Sequence, residues 1–338
     1  MARGASFNRR TFIAGSVAAS IASRSLAAQQ TSGAKRIAII VRPGQGGDMT
    51  PPGELRYWHE WREELRRLGY IEGENLLVDI RTVDPSGVGE LAAELAQDPP
   101  EAIFAPSQNI VVLLKAASVS IPIVAVPVDP VGSGLVASLS RPGGNITGLT
   151  LDAGLETAAK RFELLKEVAP NISTIAILIL RPYWEGKWNA LFTEAARQFG
   201  IAAIGAPFGS HASEAEYRNL FAGMVDDHAD GLYITPALEN LTHRRLIAEL
   251  AISAKLPSIS FYRENVEAGG LMAYGPDIDD IFRRAAGYLD QILNGADPAD
   301  MPIQQPVKFN LDLNLKTAKA LELSIPPNLL ALANEVFE

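Results

Sequence analysis

Short apolar runs rich in β-branched residues alternate with longer amphipathic stretches along this chain, in two successive series. A run such as Arg36-Ile37-Ala38-Ile39-Ile40-Val41 has no alternating wet face, so it reads as a strand covered on both sides. Strands of that kind separated by helix-length segments build βαβ units around a parallel sheet. In the first series the strands are predicted at Arg36–Val41, Asn75–Ile80, Ala102–Ala105, Pro122–Val126 and Asn145–Gly148. Helices are expected near Glu54–Leu68, Gly87–Gln97 and Ile110–Ala117, the first stopped by Gly69 after basic residues in its last turn.

The second series has helix patterns at Leu155–Val168, Lys187–Phe199, Ser213–Met224 and Glu239–Ala254. Its strands are Thr174–Leu180, Ile201–Ala206, Gly231–Ile234, Ser258–Phe261 and Leu271–Tyr274. The fold class is therefore α/β, with two doubly wound parallel-sheet lobes joined by a hinge. Residues 28–149 with about 277–303, which include the Ile278–Leu293 helix, form the first lobe, and 150–276 the second. Residues 304–338 hold a hinge strand at Gln304–Leu313 and C-terminal helices, the last starting at Pro326-Pro327.

A chain of 338 residues, 47% hydrophobic and 20% charged, is long enough for two such cores. Its formal net charge is −9, yet the first 27 residues carry four arginines and no acid, so the remainder stands at −13. That balance repels nucleic acid. The arginines belong to an export signal: Arg9-Arg10-Thr11-Phe12, an uncharged stretch Ile13–Ser23, and Ser25-Leu26-Ala27 before a cleavage point. The paired arginines are similar to the twin-arginine type, with an ordinary secretory signal as the alternative. Either route leads to the periplasm. The chain has no cysteine, which excludes disulfides, thiolate catalysis and lipid attachment through an N-terminal Cys.

Ligands of open parallel sheets bind outside the carboxyl ends of the strands, so the loops there hold the candidate site residues. After the first strand, Gln45 lies in a glycine-rich loop that lets backbone approach a guest, or is a plain flexible loop. Ser107 and Gln108 open a helix; Ser107 serves as N-cap, as carboxylate partner, or as both. Asp129 either accepts from a ligand ammonium or caps the turn that follows it. In the second lobe Arg181 offers a planar fork to a carboxylate, Thr235 stands at a helix start, and Tyr183, Trp184 and Tyr262 offer stacking faces. Trp58 and Trp61 read as packing residues. The four histidines lack paired metal-ligand spacing and no Gly-x-Ser-x-Gly elbow occurs, so no catalytic or metal site and no cofactor are expected.

Several blocks carry a family resemblance over nearly the whole chain. They are Leu65-Arg66-Arg67-Leu68-Gly69-Tyr70 with Glu72-Gly73-Glu74-Asn75, Asp129-Pro130-Val131-Gly132-Ser133-Gly134-Leu135, Arg141-Pro142-Gly143-Gly144-Asn145, Lys160-Arg161-Phe162-Glu163-Leu164-Leu165, and Asn314-Leu315-Lys316-Thr317-Ala318. The chain resembles ABC-transporter substrate-binding proteins related to the tryptophan-binding lipoprotein type. The resemblance implies a type I periplasmic-binding-protein fold and a small ligand enclosed between lobes. An aromatic or branched amino acid, or a related carboxylate, is expected there. It also implies delivery to permease subunits in the inner membrane by a monomer that is not an enzyme. A periplasmic sensing subunit on the same fold is the alternative. Lipid-anchored members carry a Cys that this chain lacks, so a free periplasmic protein is expected.

Overall fold

A computed structural model describes residues 33–43, 55–151 and 154–338. The export signal read over residues 1–27 and the loop holding Gln45 lie outside the described residues. Two sheets organise the rest. The first contains β1 (Lys35–Val41), β2 (Leu76–Thr82), β3 (Ala102–Ala105), β4 (Ile123–Ala125) and β5 (Ile146–Gly148), in the order β2-β1-β3-β4-β5 and all parallel. The second contains β6 (Thr174–Leu180), β7 (Ala202–Phe208), β8 (Gly231–Ile234), β9 (Ser258–Ser260), β10 (Met272–Pro276), β11 (Phe309–Asn314) and β12 (Glu335–Phe337). Their order is β12-β11-β10-β9-β8-β6-β7.

Ile37–Val41, Ala102–Ala105 and Ile175–Leu180 are all buried, as expected where helices cover both faces of a parallel sheet. Each sheet separates two apolar layers. In the first lobe, one layer gathers Trp58, Trp61, Phe104 and Phe282, with the Trp61 ring stacked on Phe104 at 5.5 Å. Trp58 meets Phe104 and Phe282 edge-on at 5.7 and 5.1 Å, the offset geometry that aromatic quadrupoles favour. Phe282 arrives on the Ile278–Leu293 helix, so a segment late in the chain completes the first core.

Three expectations are corrected. The helix predicted over Glu239–Ala254 is two, Leu238–Thr242 and Arg244–Ser253. Thr242 Oγ1 and His243 Nδ1 donate back to the carbonyls of Leu238 and Glu239, each at 3.0 Å, competing with the helical amides at the break. Gln304–Leu313 is not one strand: Gln304 makes a single bridge to Leu149, and Pro306, which has no N–H, interrupts the ladder before β11 begins. Finally, β11 runs antiparallel to β10, and β12 pairs with β11, so the chain's end extends the second sheet and makes it mixed.

The chain passes between the sheets three times: after β5, after β10, and before β11. The passages lie side by side. Thr150 N–H donates to Gln304 O at 2.8 Å, Gln304 N–H to Gly148 O at 3.1 Å, and Asp277 N–H to Lys308 O at 3.0 Å.

Candidate functional site

The carboxyl ends of β1, β3 and β4 face those of β6, β8 and β9 across a cleft, and the loops leaving them enclose a cavity of about 160 Å³. On the same measure one water needs roughly 10–15 Å³, so the space suits a guest of about ten non-hydrogen atoms or somewhat more. The first lobe contributes Tyr57, Trp58, Val126 and Phe282 and the turn Pro106–Asn109; the second contributes Ile179, Tyr183, Trp188, Tyr233, Thr235, Glu239 and Tyr262. The lining is thus largely aromatic, with a few polar groups.

Ser107 occupies the N-cap position of the Gln108–Ala116 helix, is buried, and makes no side-chain capping bond. The first amides of a helix have no intrahelical acceptor, so this turn presents N–H dipoles and a hydroxyl toward the cavity. Opposite it, Glu239 is 7% exposed; its Oε1 accepts from Arg42 Nη2 at 3.0 Å while Oε2 has no partner. Arg42 follows β1, so this ion pair crosses the cleft between lobes. Burial pushes the Tyr57, Tyr183 and Tyr262 hydroxyls up from their ordinary range, keeping them neutral. The Trp58 indole N–H is buried without an acceptor.

A second ion pair spans the rim, from Lys187 Nζ in the second lobe to Asp129 in the first. Asp129 also accepts the Gly132 N–H at 2.9 Å and donates its own N–H to Gln108 Oε1 at 2.8 Å. A Cβ at Gly132 would collide with both carboxylate and ammonium, so the rim pair needs glycine there. With both pairs formed, the cleft is closed.

Of the residues predicted from strand tips, Ser107, Gln108, Tyr183, Thr235 and Tyr262 meet around one cavity. Arg181 does not: its guanidinium donates to the Pro207 carbonyl at 3.1 Å, because the residue opens a short helical turn beside β7. Asp129 lies at the rim and serves the turn and Lys187 instead of the lining. Trp184 packs on Gly205 of β7, which leaves room for the ring, and is likewise outside. Thr235 lines the wall with its hydroxyl proton already given to Leu178 O at 2.7 Å. Arg42, Tyr57, Trp58, Trp188, Tyr233 and Glu239 were not foreseen as lining. The strand-tip rule extends to all but Trp188 once the first turn of the following helix is included. Among the described residues no cluster of His, Asp and Glu could hold a metal ion, and no helix is long and apolar enough to cross a membrane.

A sequence profile described as ABC transporter substrate binding protein matches residues 52–337. A tyrosine-binding protein of Clostridioides difficile (strain R20291) is 24% identical over 265 residues, 77% of this chain and 74% of that one. The solved ABC domain from Streptococcus pneumoniae in complex with L-Trp is 22% identical and superposes with a TM-score of 0.79 over 90% of this chain and all of that one. A ligand-free, open substrate binding protein from Clostridium difficile, 23% identical, gives 0.64 over 90% and 99%. A conserved domain protein from Vibrio cholerae gives 0.78 at 24% identity, covering 89% and 99%.

Proposed function

The chain belongs to the ABC transporter substrate-binding protein family, and from that premise we propose that it captures a small molecule with an apolar, aromatic or branched body and a carboxylate. Capture takes place in the periplasm, after the segment preceding residue 28 has directed export and been removed, and the loaded protein docks on a membrane permease. The lobes that close are residues 28–149 with 277–303, and 150–276 with the strands of the C-terminal segment.

The observation that carries this reading is the aromatic cavity lined by both lobes, with the open turn at Ser107 on one side. Rings on both walls suit a flat apolar body, and helix amides suit a carboxylate. The tyrosine-binding relative and the L-Trp complex support a ligand of that shape. Because the guest touches both lobes only when they are shut, binding favours the closed state.

A thermal-shift screen of amino acids and aromatic carboxylates tests it. The correct ligand raises the melting temperature as RT ln(1 + [L]/Kd) requires and shrinks the radius of gyration in small-angle scattering. Screening that panel to saturation with neither change rejects the reading.

A further inference from the structure

We propose that β2 pairs with the β2 strand of a second copy of this chain, joining two first sheets into one across a two-fold axis at Ile80. This goes beyond ligand capture and replaces the monomer that the family resemblance implies.

β2 is the edge of the first sheet, and among the described residues no strand of that sheet lies on its outer side. Asp79, Ile80, Arg81 and Thr82 are all exposed. The direction of the backbone groups is fixed by the bonds to β1. Lys35 N–H donates to Asn75 O and Val83 N–H to Val41 O, each at 2.9 Å. The odd-numbered residues from Asn75 to Val83 therefore turn their N–H and C=O toward β1, in the parallel register that sets Ile39 beside Ile80. Val78, Ile80 and Thr82 turn theirs outward. An outward row of this kind is a template for a further strand.

The residues of the edge decide which strand fits. In an antiparallel pair centred on Ile80, Ile80 meets Ile80 of the second copy, Val78 meets Thr82, and Asp79 meets Arg81. Ile80 and the Val78–Thr82 pairs take the hydrogen-bonded positions, because their backbone groups already point outward. Asp79 and Arg81 take the non-hydrogen-bonded positions, where opposed Cα atoms approach to about 4.5 Å and side chains interact most closely. The two-fold makes this contact twice, each carboxylate opposite a guanidinium. An edge guarded by charges of one sign repels its own copy. This edge carries one charge of each sign two residues apart and is complementary to itself. Within one chain Arg81 Nε donates to both Asp79 carboxylate oxygens at 2.8 Å, and both side chains stay open to solvent. On the other face of the strand, Ile80 is 38% exposed and gains cover from Ile80 of the second copy. β2 belongs to the first sheet and none of its residues lines the cleft, so pairing leaves the second lobe free to move.

Sedimentation velocity on the whole protein over a range of concentrations tests this. The wild type is expected to show twice the mass of one chain, and the dimer should weaken in high salt. Arg81→Glu sets like charges opposite each other at both contacts and should return the mass of one chain. Combining Asp79→Arg with Arg81→Asp restores opposite charges at both contacts and should return the doubled mass. Ile80→Pro removes only an outward-facing N–H, a change that edge strands tolerate, and should give single chains with unchanged circular dichroism. If Ile80→Pro loses that signal, the charge variants decide. A wild type with the mass of one chain overturns the proposal. So does a dimer that survives in Arg81→Glu or in folded Ile80→Pro, and so does a charge-exchanged variant that stays monomeric.

Discussion

The two walls of the cleft are built differently. The first lobe's wall is the exposed side of its core: Trp58 and Phe282 line the cavity and, with Phe104 and Trp61, also hold the lobe together. The second lobe's wall also carries core residues, Ile179, Phe192 and Tyr233, but adds short pieces to them: the helical turn Arg181–Trp184, the five-residue helix Leu238–Thr242 and the start of the Lys187–Arg197 helix. A residue on the first wall therefore serves folding and binding together. Residues on the second wall's short pieces are freer to be altered for recognition, and Glu239 lies on one of them.

Substitutions can break this contrast or sharpen it. Trp58→Ala should cost about 3–5 kcal/mol of folding stability in urea unfolding, besides abolishing ligand-induced heating shifts. Trp188→Ala, on the second wall, should cost about 2 kcal/mol of binding by calorimetry. Its apo melting temperature should fall by less than that of Trp58→Ala, because Trp188 is only partly buried against its lobe's core. Equal losses of stability in both variants would erase the distinction.

The second lobe's C-terminal edge gives a smaller, pH-dependent effect. Burial, opposed by Arg263 and assisted by Glu335, pushes the Asp312 carboxyl up from 3.8 to about 6. The folded state then binds more protons than the unfolded one between those values, so this group's contribution to stability falls as pH rises from about 4 to 6 and stays low above. Asp312→Asn should melt at the wild-type temperature at pH 4 and above it at pH 7; calorimetry at both values checks the sign. Smallest of all, Asp129→Asn weakens an exposed rim pair worth roughly 0.2–1 kcal/mol, and ligand release should quicken by fivefold or less in stopped flow. Its effect should fade in high salt.

Much of the scaffold was legible because its strands are buried on both faces: Thr174–Leu180 and Gly231–Ile234 lie where their composition puts them. The edge strands were harder. Glu335–Phe337 is three residues long and mostly polar, and only its register beside Asp312–Asn314 makes it a strand. At the site, strand tips located Ser107, Tyr183 and Tyr262 without indicating where side chains turn. Arg181 and Trp184 flank Tyr183 and face β7, which the local sequence does not reveal. Glu239 looked like an ordinary first-turn acid, since its burial depends on Arg42, 197 residues earlier in the chain.

The three adjacent passages between the lobes restrict how the molecule can move. A single tether would act as a swivel, whereas three bonded side by side resist torsion and leave one soft coordinate, bending about a common axis. Opening and shutting thus follow one track, and the outer faces of the lobes return to the same mutual alignment in every cycle. In the proposed capture cycle, a permease that grips both faces would then tell a loaded molecule from an empty one by alignment alone.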